Sequence, residues 1–147
     1  MSTASRTLYV AEPSPGYLLR PPLVIDCSVL CGILFDEPWR TEAVEHVAGK
    51  ALHAPYLLDH EVLSVTLKKH RQQWSPDSIR KAMEDYAQYA VELHESDLAG
   101  QLDLALRYQL SAYDAAYLWL AAELKAPLAT FDKALATAAQ AHLRSLP

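Results

Sequence analysis

Two cysteines are all that the 147 residues contain. Cys27 and Cys31 are spaced to share one helix face just after an apolar strand. That is too few for a disulfide framework or a structural metal site, and they read as small core residues in a reducing compartment. Positive charge is also scarce. Thirteen Lys and Arg against eighteen Asp and Glu leave a net charge of -5, which excludes holding nucleic acid by bulk electrostatics. Any such contact must be local or assisted by a metal. No apolar stretch approaches the roughly 20 residues that span a bilayer, and the N-terminus lacks the apolar core of a signal peptide, so we expect a cytoplasmic protein away from the membrane. The six histidines show no metal-ligand spacing, and no Ser-His-acid set competes as a nucleophilic site. With 51% hydrophobic residues, the chain is long enough for one domain with a real core.

What is there alternates between strand-like and helix-like segments, the pattern of a parallel sheet covered by helices on both faces. Leu23 to Ile25 reads as a buried strand, with Ser28 as the N-cap of a helix ending before Pro38. Ala54-Pro55-Tyr56 leads into a helix from Leu57 to about His70. Ser75-Pro76-Asp77 starts the next, which ends near Ala90. Val91 to His94 is a candidate strand, Ser96-Asp97 opens another helix, and Ser111 caps the one from Ala112 to Lys125. Leu128 to Phe131 is a short strand, Ala134 to Ala141 the last helix, and Leu143 to Leu146 an expected edge strand. Residues 1–20 form an N-terminal extension, in which Thr7–Val10 and Gly16–Leu19 flank a Pro/Ser/Gly segment as a hairpin or a loose stretch. The domain proper is expected over residues 21–147.

Four carboxylates stand in apolar surroundings. Asp26 and Asp132 each close an apolar strand. Glu61 falls between Leu57, Leu58, Val62 and Val65 on a helical wheel, and Asp114 shares an arc with Tyr117, Leu118 and Ala121. Burying one uncompensated carboxylate costs several kcal/mol, and crowding four costs more, so the group must be protonated, paired or bound to metal. Few lysines or arginines are near in sequence; Arg107 is one conceivable partner for Glu61. A hard divalent cation is the economical answer. The edge formed by strand C-termini is where acids far apart in sequence can converge. Each also has a plainer reading: a helix cap for Ser28 and Asp132, a dipole complement for Asp114, a backbone-satisfied acid for Asp26. Asp59 is near Glu61 but on another face. The basic run at Lys68, Lys69 and Arg71 reads as a solvated helix end or as a patch for RNA phosphates. Trp39, Trp74 and Trp119 are candidates for base stacking, with Trp119 a second candidate for a partner contact.

The segments Val24-Ile-Asp-Cys-Ser-Val-Leu30, Ala54 through Leu63, Leu110 through Tyr117 and Leu128 through Lys133 resemble, in order and spacing, those of PIN-domain ribonucleases and, within them, VapC-type toxins of toxin–antitoxin pairs. The resemblance covers residues 21–147. It implies a three-layer α/β/α fold with a mostly parallel sheet. It also implies an acidic site of Asp26, Glu61, Asp114 and Asp132, with Ser28 and Thr130 as supporting hydroxyls, holding one or two Mg²⁺ or Mn²⁺ ions. The expected activity is metal-dependent endoribonuclease cleavage of RNA, with an antitoxin and a second copy of the chain as partners. Two alternatives keep the same fold: a nuclease of RNA maturation, and a catalytically silent binding protein. Haloacid-dehalogenase and receiver-domain readings fit poorly, because the first needs an acid where Ser28 stands and the second needs paired acids at the first strand end.

Overall fold

Leu23, Val24 and Ile25 are consecutive and all buried, as expected for a central strand of a parallel sheet, which is covered on both faces. In the computed structural model, which describes Tyr9, Ala11 and residues 20–147, they form β1 (Pro22–Ile25). The helices α1 (Cys27–Leu34) and α2 (Arg40–Val47) lead to β2 (Ala51–Pro55). Next come α3 (Leu57–Arg71), α4 (Pro76–Gln88) and β3 (Glu92–His94). The chain closes with α5 (Leu98–Tyr108), α6 (Ala112–Leu124), β4 (Leu128–Ala129) and α7 (Lys133–Ser145). The hairpin expected in the N-terminal extension lies almost wholly outside the described residues.

All strand pairs are parallel, in the order β3-β2-β1-β4. The chain therefore steps outward from β1 to β2 to β3 and then returns across the sheet to β4. Right-handed crossovers put helices of the outward steps on one face and those of the return on the other. The packing agrees: α1 to α4 contact one another, while α5 packs on α6, and α6 on α7 and the sheet. The expected α/β/α architecture is the one observed. Strand order reverses between β1 and β4, which is where open parallel sheets form their sites.

α6 shows why this arrangement holds. Ala115, Ala116, Tyr117, Leu118, Leu120 and Ala121 are all buried, so the helix is apolar nearly all round, as a helix inside the molecule must be. It packs on β1, β2 and β4 and serves as the core's second wall.

Four expectations change. Asp26, not Ser28, caps α1, accepting from the Val29 amide; Ser28 is the second residue of the helix. α2 and β2 were not expected. Only Ala43 and Val47 of α2 are buried and no side chain caps it, and Ala51-Leu-His-Ala-Pro55 has few good strand formers, so neither carries a strong pattern. The expected edge strand Leu143–Leu146 does not form. Leu135, Ala138, Ala139 and His142 are buried at the spacing of one helical stripe, which carries α7 through Ser145. Arg107 does not meet Glu61, whose partner is Tyr117.

Candidate active site

Asp26 follows β1 at the reversal of strand order and is 6% exposed. Its Oδ1 accepts hydrogen bonds from Ser28 Oγ at 2.6 Å and from the Val29 amide at 3.2 Å, and its Oδ2 accepts from Thr130 Oγ1 at 2.5 Å. The two hydroxyls are relays. Ser28 Oγ accepts from the Phe131 amide at 2.9 Å, and Thr130 Oγ1 from the Asp132 amide at 2.9 Å. The turn after β4 is thereby tied to the turn after β1 through the first acid. Asp132, exposed, caps α7 by accepting from the Leu135 amide at 2.8 Å; capping and metal binding are compatible roles for its two oxygens.

Glu61 is half-buried on α3 and accepts from Tyr117 Oη at 2.7 Å. Asp114 is half-buried in the first turn of α6, where Ser111 caps the helix. The charges of Asp26 and Asp114 act on Glu61, and those of Asp132 and Asp26 act on Asp114. Burial pushes the Asp26 carboxyl above the ordinary carboxylate range, against the hydrogen bonds from Ser28, Thr130 and the backbone. Burial also raises Glu61, the Tyr117 hydrogen bond opposes the rise, and the charges of Asp26 and Asp114 add to it. Asp114 is raised by burial first, then by Asp132 and Asp26, with Ser111 opposing. The Tyr117 hydroxyl is raised as well, by burial and by Glu61. Among the described residues none of the four carboxylates belongs to an ion pair. Among the described residues, hydrogen bonds and not cations oppose the repulsion.

Hard oxygen donors gathered this way fit Mg²⁺ or Mn²⁺. Among the described residues no three of these acids bring ligand atoms within 4.8 Å of one another. That spacing suits an ion which keeps several of its waters and takes one or two carboxylates directly.

The weaker candidates separate. Lys69 is largely buried, with Nζ 2.8 Å from Glu37 Oε1 and over the rings of Phe35 and Trp74. Its charge is committed inside the molecule, whereas Lys68 and Arg71 are exposed. Trp74 meets Phe35 edge-on. Trp119 lies against Gly100, where a Cβ would come within 2.8 Å of its Nε1; it is a packing residue between α5 and α6. Trp39 is 39% exposed and tilted against Phe131, 40% exposed, and Phe131 adjoins Asp132. Asp59 does face elsewhere, accepting from Tyr86 Oη. Sequence reasoning missed Tyr117 as the Glu61 partner, although its place one turn after Asp114 was the available signal. It also missed His53, Glu92 and His94, which the β2–β3 pairing brings together.

Beside the acids a cleft of about 550 Å³ opens between α2, β4 and α7. Apolar Leu23, Val29, Ala43 and Leu143 line it, with Thr130 and Phe131 on the side of the acids.

Residues 23–141 match the PIN-domain family model. The chain belongs to the PIN-domain family. It is similar to the ribonuclease VapC9 of Mycobacterium tuberculosis, with 29% identity over 121 residues, covering 82% of this chain and 93% of that protein. With the ribonuclease VapC3 of Pyrobaculum aerophilum it shares 30% identity over 122 residues, covering 78% and 92%. The crystal structure of PAE2754 from Pyrobaculum aerophilum superposes with a TM-score of 0.62 at 21% identity, over 84% of this chain and 93% of that one, a likeness of fold. No helix among the described residues is long and apolar enough to cross a membrane.

Proposed function

We propose that the protein is a Mg²⁺- or Mn²⁺-dependent endoribonuclease, the toxin of a type II toxin–antitoxin pair, working in the cytoplasm. The carrying observation is the set of four acids: burial raises Asp26, Glu61 and Asp114, neighbouring acids add to the rise at Glu61 and Asp114, and among the described residues none of the four is in an ion pair. The names of the VapC relatives support RNA as the substrate.

In this reading Asp26, Glu61, Asp114 and Asp132 hold one or two ions. An ion held by these residues would supply a water of lowered pKa and charge to offset the phosphate. The protein's own groups prepare the place. Ser28 and Thr130 fix both oxygens of Asp26, Tyr117 orients Glu61, and the Thr130 relay sets the turn that presents Asp132. Lys68 and Arg71 are candidates to meet phosphates at a distance from the acids, and Trp39 with Phe131 offers an aromatic surface to bases.

Two protein partners belong to the proposal. The apolar cleft adjoining the acids suits a segment of an antitoxin that would cover them. The residues Leu98, Leu102 and Leu106 of α5 are 76%, 58% and 72% exposed, and their i, i+4, i+8 spacing makes one apolar stripe, which suits a homodimer.

The test is cleavage of a mixed RNA pool by purified protein with Mn²⁺, Mg²⁺ or chelator. Metal-dependent cleavage, reduced about a thousandfold or more by Asp26→Asn, is expected. Cleavage that survives chelation, or that Asp26→Asn leaves intact, sinks the proposal. Expression in a bacterial host should arrest growth with the wild type and not with Asp114→Asn; harmless wild type with full activity in vitro would point to RNA maturation.

A further inference from the structure

The histidines carry no sequence motif, yet two of them meet at the open edge of the sheet. The β2–β3 register sets His53 opposite Glu92 and Pro55 opposite His94. Alternate residues of a strand share a face, so His53, Glu92 and His94 project from the same face of the two strands. Their side chains converge there. His53 Nδ1 lies 3.0 Å from His94 Nε2, Glu92 Oε2 lies 3.6 Å from His53 Nδ1, and Glu92 Oε1 lies 3.9 Å from His94 Nε2. One ligand atom from each residue lies within 4.8 Å of the other two.

We propose that His53, Glu92 and His94 form a second metal site, for a first-row transition cation and Zn²⁺ foremost, which clamps the edge strand β3 to β2. Two imidazoles and one carboxylate are the donor set of zinc sites with an open fourth position. At bond lengths near 2.0–2.2 Å, the ligand atoms of a tetrahedral ion stand about 3.3 Å apart. The separations observed bracket that value. The two rings meet directly, and Glu92 completes the triangle of donor atoms. The side chains of His53 and His94 are 13% and 24% exposed and that of Glu92 67%, so two ligands are held by packing while the third closes from solvent. The fourth vertex is open to water or to a donor from another molecule.

The site has a structural consequence. β3 is three residues long and, among the described residues, pairs on one side only, with β2. An ion shared by His53 on one strand and by Glu92 and His94 on the other bridges that pairing through side chains. The two sites also differ in taste: carboxylates at the reversal point suit Mg²⁺ and Mn²⁺, whereas imidazoles at the far edge suit Zn²⁺, Co²⁺ or Ni²⁺. The proposal is independent of the nuclease reading.

The test uses the full chain carrying Asp26→Asn and Asp114→Asn, so that the acids do not compete. Titration with Co²⁺ should give visible bands of low-symmetry coordination at one equivalent, which Zn²⁺ displaces and a large excess of Mg²⁺ does not. Calorimetry with Zn²⁺ should show one site, and Zn²⁺ should raise the thermal midpoint by several degrees. His94→Ala should abolish the bands and the thermal shift, and Glu92→Gln, at an exposed position that does not threaten folding, should weaken binding at least tenfold. Zn²⁺ binding that is missing in the parent, or equal in the parent and in Glu92→Gln, overturns the proposal.

Discussion

Thr130 and Ser28 make Asp26 tolerable. A carboxylate buried to 6% exposure keeps its charge only where donors surround it, and these two hydroxyls supply side-chain donors to both of its oxygens. Thr130→Val keeps the shape and removes one donor, so we expect a loss of about 1–3 kcal/mol in stability by urea denaturation at neutral pH. A loss near zero would mean that water replaces the hydroxyl. The raised carboxyls also set a pH dependence. Asp26, Glu61 and Asp114 bind their protons more tightly in the folded chain than in the unfolded one, so their contribution to stability falls as pH rises above roughly 4. In metal-free protein, Asp26→Asn is therefore expected to be more stable than wild type at pH 7, with the gap closing toward pH 4. A gap independent of pH in thermal scans would contradict the direction of the shift. The acids stood out in sequence because each interrupts an apolar run, and Ser28 and Thr130 through the resemblance to PIN-domain ribonucleases. Tyr117 and the His53–His94 pair did not, since their partners are 56 and 41 residues away and no local pattern links them.

Among the elements, those with a dense apolar face or a capping residue were readable. Ser75, Asp97 and Ser111 each accept from a backbone amide in the first turn of their helices, as their place before an apolar pattern implied. The misreadings fell where local signals were thin: α2 lacks a cap, β2 ends in proline, and α7 runs past a break in its apolar pattern that packing on α6 outweighs. Helix ends carry cost as well. α5 and α6 both stop at a non-glycine residue in the left-handed conformation, Gln109 at φ 54° and Lys125 at φ 49°. Glycine takes that conformation without a Cβ clash. Gln109→Gly, at an exposed position, should therefore stabilise the fold by about 1 kcal/mol, read as a raised urea midpoint at unchanged slope; a lowered midpoint would place the residue in contacts beyond its own backbone.

For the whole molecule, topology does what no single motif does. Strands in the order β3-β2-β1-β4 put the ends of β1 and β4, and with them Asp26 and Asp132, at the reversal of strand order, and the charges of acids spaced 35, 53 and 18 residues apart act on one another there. The alternation of strand and helix made that architecture legible, while strand order was not, because no local pattern says which strands pair and the handedness of the crossovers fixes only the face each helix covers. Assembly is expected on the α5 stripe: light scattering should give a dimer for wild type and a monomer for Leu102→Glu, and a wild-type monomer at high concentration would remove the stripe from the partner argument. The same topology imposes a calendar on synthesis. β4 is an edge strand supplied by the last part of the sheet to leave the ribosome, and through Thr130 it carries one of the two hydroxyls that hold Asp26. Until it docks beside β1, Asp26 lacks Thr130, Asp132 is elsewhere and the cluster does not exist. A growing chain thus lacks the assembled acidic cluster for most of its translation and completes it only when β4 docks.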